Sequence, residues 1–110
     1  MTPDIFGPVA REDLRQTLAW IARDNEAAAQ AMLRATLQSA RRIVARPMLG
    51  RSRPDLLPAP FRFWRVAGFP YLIVYDAARQ PPAVLRVLHM ARDLAPLLAD
   101  LSGLTDEPTE

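Results

Sequence analysis

The side chains with which this chain could do chemistry are few. All 14 basic residues are Arg, there is one histidine, His89, and there is no cysteine. Without thiolates, disulfides and sulfur-ligated metals are excluded. One imidazole with no Gly-rich phosphate loop implies neither a metal nor an organic cofactor. His89 could carry a proton, but a lone His at a strand end is more often structural. What remains is cationic. Arg62, Arg65, Arg86 and Arg92 flank or interrupt apolar runs, and Arg41, Arg42, Arg46, Arg51 and Arg53 crowd positions 41 to 53. The formal net charge is only +2, yet Asp106, Glu107 and Glu110 stand at the C-terminal end, so the folded body is more basic than the total. Such a body attracts an acidic partner or nucleic acid through long-range attraction. An all-Arg usage is also what coding bias in a GC-rich genome produces.

The elements that must position these groups are legible in the hydrophobic pattern. Phe69-Pro70-Tyr71-Leu72-Ile73-Val74-Tyr75 is a short apolar run closed by Asp76, which reads as a strand covered on both faces and therefore central. Phe61 to Val66 and Ala83 to His89 are of a length to lie beside it. In the first, Phe61, Phe63 and Arg65 share one face, and Arg62, Trp64 and Val66 the other. In the last, strict alternation puts Leu85 and Val87 on one face and Val84, Arg86 and Leu88 on the other. Arg86 in mid-strand needs an acidic or carbonyl partner if it is buried. Gly68 and Pro70 fit a tight turn, and 77–82 a longer hairpin.

Two helical patterns come earlier. Leu14, Leu18 and Ile21 recur from Val9 onward, and Asp24-Asn25 interrupts them with Asn25 or Asp24 suited to cap the next helix. That helix is expected over 26–45, with Ala29, Met32, Leu33, Thr36, Leu37, Ala40, Ile43 and Val44 on its packing face and Arg34, Gln38, Arg41 and Arg42 facing away. Small residues at 27–29 and 31 let the first helix approach as an αα-hairpin. Pro47 ends it. The Pro-rich stretch 47–60 reads as a stiff loop whose Arg51 and Arg53 could bind an acidic partner or hold the loop down by pairing with Asp55. Near the N-terminus only Ile5-Phe6 is able to pair with a strand. Leu94, Leu97 and Leu98 belong to a terminal turn or short helix covering the sheet. The fold class is thus α+β: one domain over 1–100 and a loose acidic tail over 101–110. Met1-Thr2-Pro3-Asp4 has neither a basic leader nor an apolar core, and no apolar run approaches the roughly 20 residues of a membrane helix, so a cytoplasmic protein is expected.

The order of motifs resembles the ParE branch of the RelE/ParE toxin superfamily. The matching pieces are Ala10…Asp13-Leu14, Trp20-Ile21-Ala22…Asp24-Asn25, Pro47…Gly50-Arg51…Arg53-Pro54-Asp55-Leu56, Tyr71-Leu72-Ile73-Val74-Tyr75 and Arg86-Val87-Leu88-His89…Arg92-Asp93-Leu94. They span about residues 8 to 98. The resemblance implies an αα-hairpin on a small curved antiparallel sheet. It also implies the toxin of a type II toxin–antitoxin (plasmid stabilisation) system, without metal or cofactor. RelE-like members cut messenger RNA on the ribosome, and if this chain did so Arg62, Arg65 and Arg92 would hold phosphate while His89 moved protons. Two positions those nucleases use are here Leu72 and the Leu97-Leu98 pair, so the set is incomplete. ParE-like members bind and poison DNA gyrase without chemistry of their own. On that reading Arg51, Arg53, Arg62, Trp64, Arg65, Arg86 and Arg92 would contact the target, with Trp64 as an anchor. Arg86 has the alternative of a buried pairing residue, and Trp64 that of a core residue. The resemblance further implies an acidic ParD-like antitoxin laid across Leu14, Leu18, Trp20, Arg34 and Arg41, in a heterotetramer or larger assembly. No direct sequence-specific DNA binding by the toxin itself is expected.

Overall fold

The structure, a computed structural model, describes residues 4–105. Helices α1 (Pro8–Ala22) and α2 (Glu26–Ala45) form the hairpin, and a 3-10 turn, Pro47–Leu49, opens the crossing loop. Strands β1 (Phe61–Arg65), β2 (Tyr71–Asp76) and β3 (Ala83–His89) follow, and α3 (Leu94–Thr105) closes the described chain. The sheet runs β1-β2-β3, antiparallel throughout, so the run chosen as central is central. Helix α3 continues to Thr105, further than the expected tail boundary at 101, and the acidic positions 106–110 lie outside the described residues.

Local chemistry explains the element boundaries. Pro8 occupies the first turn of α1, where its missing N–H costs nothing. The Asn25 side chain accepts the Ala28 N–H at 2.9 Å and starts α2. Helix α2 stops before Pro47. Gly68 holds φ 85° in the β1–β2 turn, a left-handed conformation that disfavours a side chain. At the N-terminus the short pairing segment is present: Val84 donates its N–H to Ile5 O and accepts the Gly7 N–H at its own carbonyl, forming a single parallel bridge at Phe6.

Both sheet faces are covered. One core lies under the helical hairpin and includes Met32, Ile43, Val66, Ile73, Tyr75, Val84 and Val87. The other lies beneath the crossing loop and α3 and includes Leu57, Phe61, Phe63, Val74, Leu88 and Leu98, with Leu94 and Leu97 at its margin. The β1 alternation is as expected. In β3 it is not: Val84 and Val87 enter the hairpin core while Leu85 and Leu88 join the other. The cause is a β-bulge. Val74 pairs with Arg86 but Tyr75 pairs with Val84, so Leu85 has no opposite number and the alternation shifts by one.

Helix α2 also departs from expectation. Leu33 and Leu37 are 36% and 42% exposed, whereas Ala29, Met32, Thr36, Ser39, Ala40 and Ile43 form the buried stripe. Leu33 and Leu37 each lie one residue, about 100°, round the axis from a buried position, beyond the reach of α1 and the sheet. Ser39 takes a core place because its hydroxyl returns to Ala35 O at 2.9 Å, as Thr36 does to Met32 O at 2.8 Å. None of the described helices is long and apolar enough to cross a membrane.

The loop from the helices to the sheet is pinned by one phenol. Tyr75, fully buried, donates to Pro47 O at 2.6 Å and accepts the Gly50 N–H at 2.7 Å. A Cβ on Gly50 would stand 2.6 Å from that oxygen, so only glycine fits there. Tyr75→Phe leaves both backbone groups unpaired and is expected to cost about 1–3 kcal/mol by chemical denaturation. Burial raises the Tyr75 phenol above its ordinary 10.0, outweighing the Gly50 N–H and the nearby Arg62 charge. The unfolded chain therefore gives up this proton first, and stability should fall as the pH rises past 10.0, a dependence that Tyr75→Phe should lack.

Candidate functional site

Arg86 shows how the fold treats its charges. Its Nε and Nη2 donate to the two carboxylate oxygens of Asp13 on α1 at 2.7 and 3.1 Å, and its Nη1 to Leu97 O on α3 at 3.3 Å. Asp13 Oδ2 also accepts the Val87 N–H at 3.0 Å, closing part of the outer edge of β3. The two side chains are 19% and 15% exposed, and hydrogen bonding to Asp13 raises the guanidinium further above its ordinary range. The structure supplies both kinds of partner that a mid-strand Arg needs, and it commits Arg86 to holding α1 and α3 against the sheet.

Two other arginines are engaged in the crossing loop. Arg53 forks onto Asp55 at 3.0 and 2.7 Å, the pairing that the sequence allowed, and holds that carboxyl below its usual range. Arg62 donates to Gly50 O at 2.7 Å and Met48 O at 3.4 Å, and sits at a hollow of about 220 Å³ with Phe61 and Ala77.

Three expected target residues do meet. Arg51 reaches the outer edge of β1 by a backbone bridge to Phe63, at 2.7 and 2.8 Å. That bridge sets Arg51 beside Trp64 and Arg65, and with Leu49, Phe63 and Met90 they line an open cleft of about 520 Å³. Arg65 is exposed and its side chain hydrogen-bonds only Phe69 O, at 3.2 Å, among the described residues, while Trp64 is half-buried against the hairpin core. Trp64 therefore serves both as packing and as a cleft wall. Leu49 and Met90 could not be assigned from the sequence, because loop ends carry no period.

His89 and Arg92 lie in a third cavity of about 420 Å³, between α1 and the end of β3. Asp13, Gln16, Thr17 and Trp20 form its helical wall, and Tyr71, Val87, His89 and Arg92 the other. Tyr71 meets the His89 ring edge to face, 4.9 Å between centroids at 77°. The His89 Nδ1 accepts the Ala91 N–H at 3.0 Å. Gln16 is partly spent on Glu12, whose carboxyl is lowered to about 2, mainly by Arg15 and then by Gln16. Asp13, Gln16, Thr17 and Tyr71 were missed as site residues. The spacing of Asp13, Thr17 and Trp20, successive turns on one face of α1, was the available signal.

The residues named for a nuclease are thus divided. Arg62 has one hollow, Arg65 another, and only His89 and Arg92 share the third. Of those expected to meet an antitoxin, Leu14 and Leu18 are half-buried at a shallow recess of about 290 Å³ beside Phe6, Arg11 and Arg15. Trp20 is 64% exposed with the Arg23 guanidinium 5.0 Å from its ring centre, and Arg34 and Arg41 are exposed on α2.

Comparison with known proteins adds one match. A family model described as the ParE toxin of the type II toxin–antitoxin system, parDE, covers residues 5–94. No curated protein matches the sequence.

Removing the carboxylate of Asp13 should cost about 3 kcal/mol, since a largely buried guanidinium and the Val87 N–H both lose their acceptor. In a double-mutant cycle, Asp13→Leu with Arg86→Met should recover most of that loss, as read by denaturation midpoints.

Proposed function

The chain belongs to the ParE toxin family of type II toxin–antitoxin systems, and from that premise we propose that it arrests growth by binding DNA gyrase, with no bond-breaking chemistry of its own. The observation that carries this reading is the separation of the candidate nuclease groups. Cleaving a phosphodiester needs several cations and a proton carrier around one phosphate, and here His89 has only Arg92 beside it, while Arg62 and Arg65 lie at two other hollows. Arg51, Trp64 and Arg65, by contrast, converge on one open cleft and have no acidic partner among the described residues. Two cations around an aromatic wall suit the anchor of a protein interface. Arg53, Arg62 and Arg86 are instead tied to Asp55, to Gly50 and to Asp13 within the fold.

Family membership carries an antitoxin with it. We place a ParD-like antitoxin with an acidic segment across the hairpin, its apolar side chains at the Leu14–Leu18 recess and its carboxylates near Arg34 and Arg41. Coulomb attraction speeds that encounter, more at low salt than at high. Dimerisation of the antitoxin gives a heterotetramer or larger assembly in the cytoplasm.

Purified chain added to gyrase should inhibit supercoiling, and Arg51→Ala with Arg65→Ala should raise the concentration needed by at least about tenfold, while Arg53→Ala should not. Unchanged supercoiling with the unmodified chain, together with message cleavage on translating ribosomes, would sink the gyrase reading. Sedimentation of the co-expressed pair should give a species larger than one toxin with one antitoxin.

A further inference from the structure

Helix α2 presents a row of cations outside the cavities described above. We propose that this row, Arg34, Arg41, Arg42 and Arg46, binds the phosphate backbone of duplex DNA without regard to sequence.

Local charge selects the sign of the partner. No acidic residue occurs between Glu26 and Asp55, a stretch that holds six arginines. Two of them are already placed: Arg53 pairs with Asp55, and Arg51 lines the cleft at β1. Arg34, Arg41, Arg42 and Arg46 are all exposed and have no acidic partner among the described residues. The neighbouring helix does not neutralise them, because the two acids of α1, Glu12 and Asp13, are held by Arg15 and Arg86. Glu26 begins α2, about 12 Å along the axis from Arg34. A cluster of one sign on one element is the electrostatic footprint of a polyanion.

Geometry selects the kind of polyanion. Arg34, Arg41 and Arg42 fall within about 100° of the α2 circumference, on the side opposite the buried stripe. With Arg46 at the C-cap they cover about 18 Å along the axis. Over that length a duplex carries about ten phosphates, at one charge per roughly 1.7 Å. Guanidinium forks spaced along a straight helix thus meet phosphate oxygens in any register and read no base. The rest of this arc is Gln38 with small alanines, and Leu33 and Leu37 lie outside it. A protein interface is built on an apolar or aromatic centre, which the arc lacks. Single strands are gripped by stacking, and α2 has no aromatic residue. A duplex backbone requires neither. Arg34 and Arg41 are also the cations set against an antitoxin's carboxylates, so a bound antitoxin and a bound duplex exclude one another.

Fluorescence anisotropy of a short labelled DNA duplex of arbitrary sequence, titrated with the full chain over a range of salt, reads how many phosphates are neutralised. Four contacts give a slope of log K against log salt of about −3.6, a loss on the order of a hundredfold between about 50 and 200 mM. A duplex of scrambled sequence should bind equally. Arg41→Ala with Arg42→Ala should about halve the slope and weaken binding at least about tenfold at the lower salt. Arg41→Lys with Arg42→Lys keeps both charges and should keep the slope. Arg51→Ala with Arg65→Ala takes two cations from the β1 cleft instead and should leave the slope unchanged. These positions are exposed, so far-UV circular dichroism should report the same fold for every variant. A slope shallower than about −2 overturns the proposal. So does an undiminished slope in Arg41→Ala with Arg42→Ala, or a single strand or polyglutamate that binds as tightly as the duplex. None of these outcomes depends on gyrase being the target.

Discussion

A guanidinium placed in the middle of a strand must be met, and the way Arg86 is met organises the molecule. Burying that charge without a partner would cost more than the sheet contacts nearby can offset. Asp13 answers with both carboxylate oxygens, and the Leu97 carbonyl takes a third N–H. One side chain thereby fixes α1 and α3 against β3. The same carboxylate takes the Val87 N–H, so the outer edge of β3 is partly closed by a helix side chain.

The bulge at Leu85 is what lets β3 serve both cores. Without it, the strand would direct Val84 and Leu88 to one face; with it, Val84 and Val87 enter the hairpin core while Leu85 and Leu88 meet α3 and the crossing loop. On the opposite edge, the Tyr75 phenol holds the turn after α2, and Arg51 bridges to Phe63 just beyond it. Each edge of this small sheet is therefore partly occupied by a segment from earlier in the chain, and the clefts form where those segments stop.

The arginines of the sheet and the crossing loop fall into two groups. Arg53, Arg62 and Arg86 are bonded within the molecule, while Arg51, Arg65 and Arg92 have no acidic partner among the described residues. Those three lie in two clefts lined by different walls. One is walled by Trp64 and Phe63 at the edge of β1. The other is bounded by Trp20, Tyr71 and His89 between α1 and the end of β3. Leu33 and Leu37, apolar yet outside both cores, add an exposed stripe on α2.

By itself the sequence determined the elements: the span of α2, its Asn25 cap, the central strand, the alternation of β1 and the need of Arg86 for a partner. These are local properties, set by the period of apolar residues, by proline and by capping side chains, and they require no knowledge of what packs where. Tertiary structure alone decided which acid met Arg86, that β3 slips its alternation at Leu85, that Leu33 and Leu37 lie outside the buried stripe, and that the nuclease candidates lie apart. A bulge leaves no mark in a run of alternating apolar residues, and the width of a helix's buried stripe depends on its neighbours. Whether two arginines share a cleft depends on the path between them, and that path is fixed by distant contacts such as Asp13 with Arg86 and Tyr75 with Gly50.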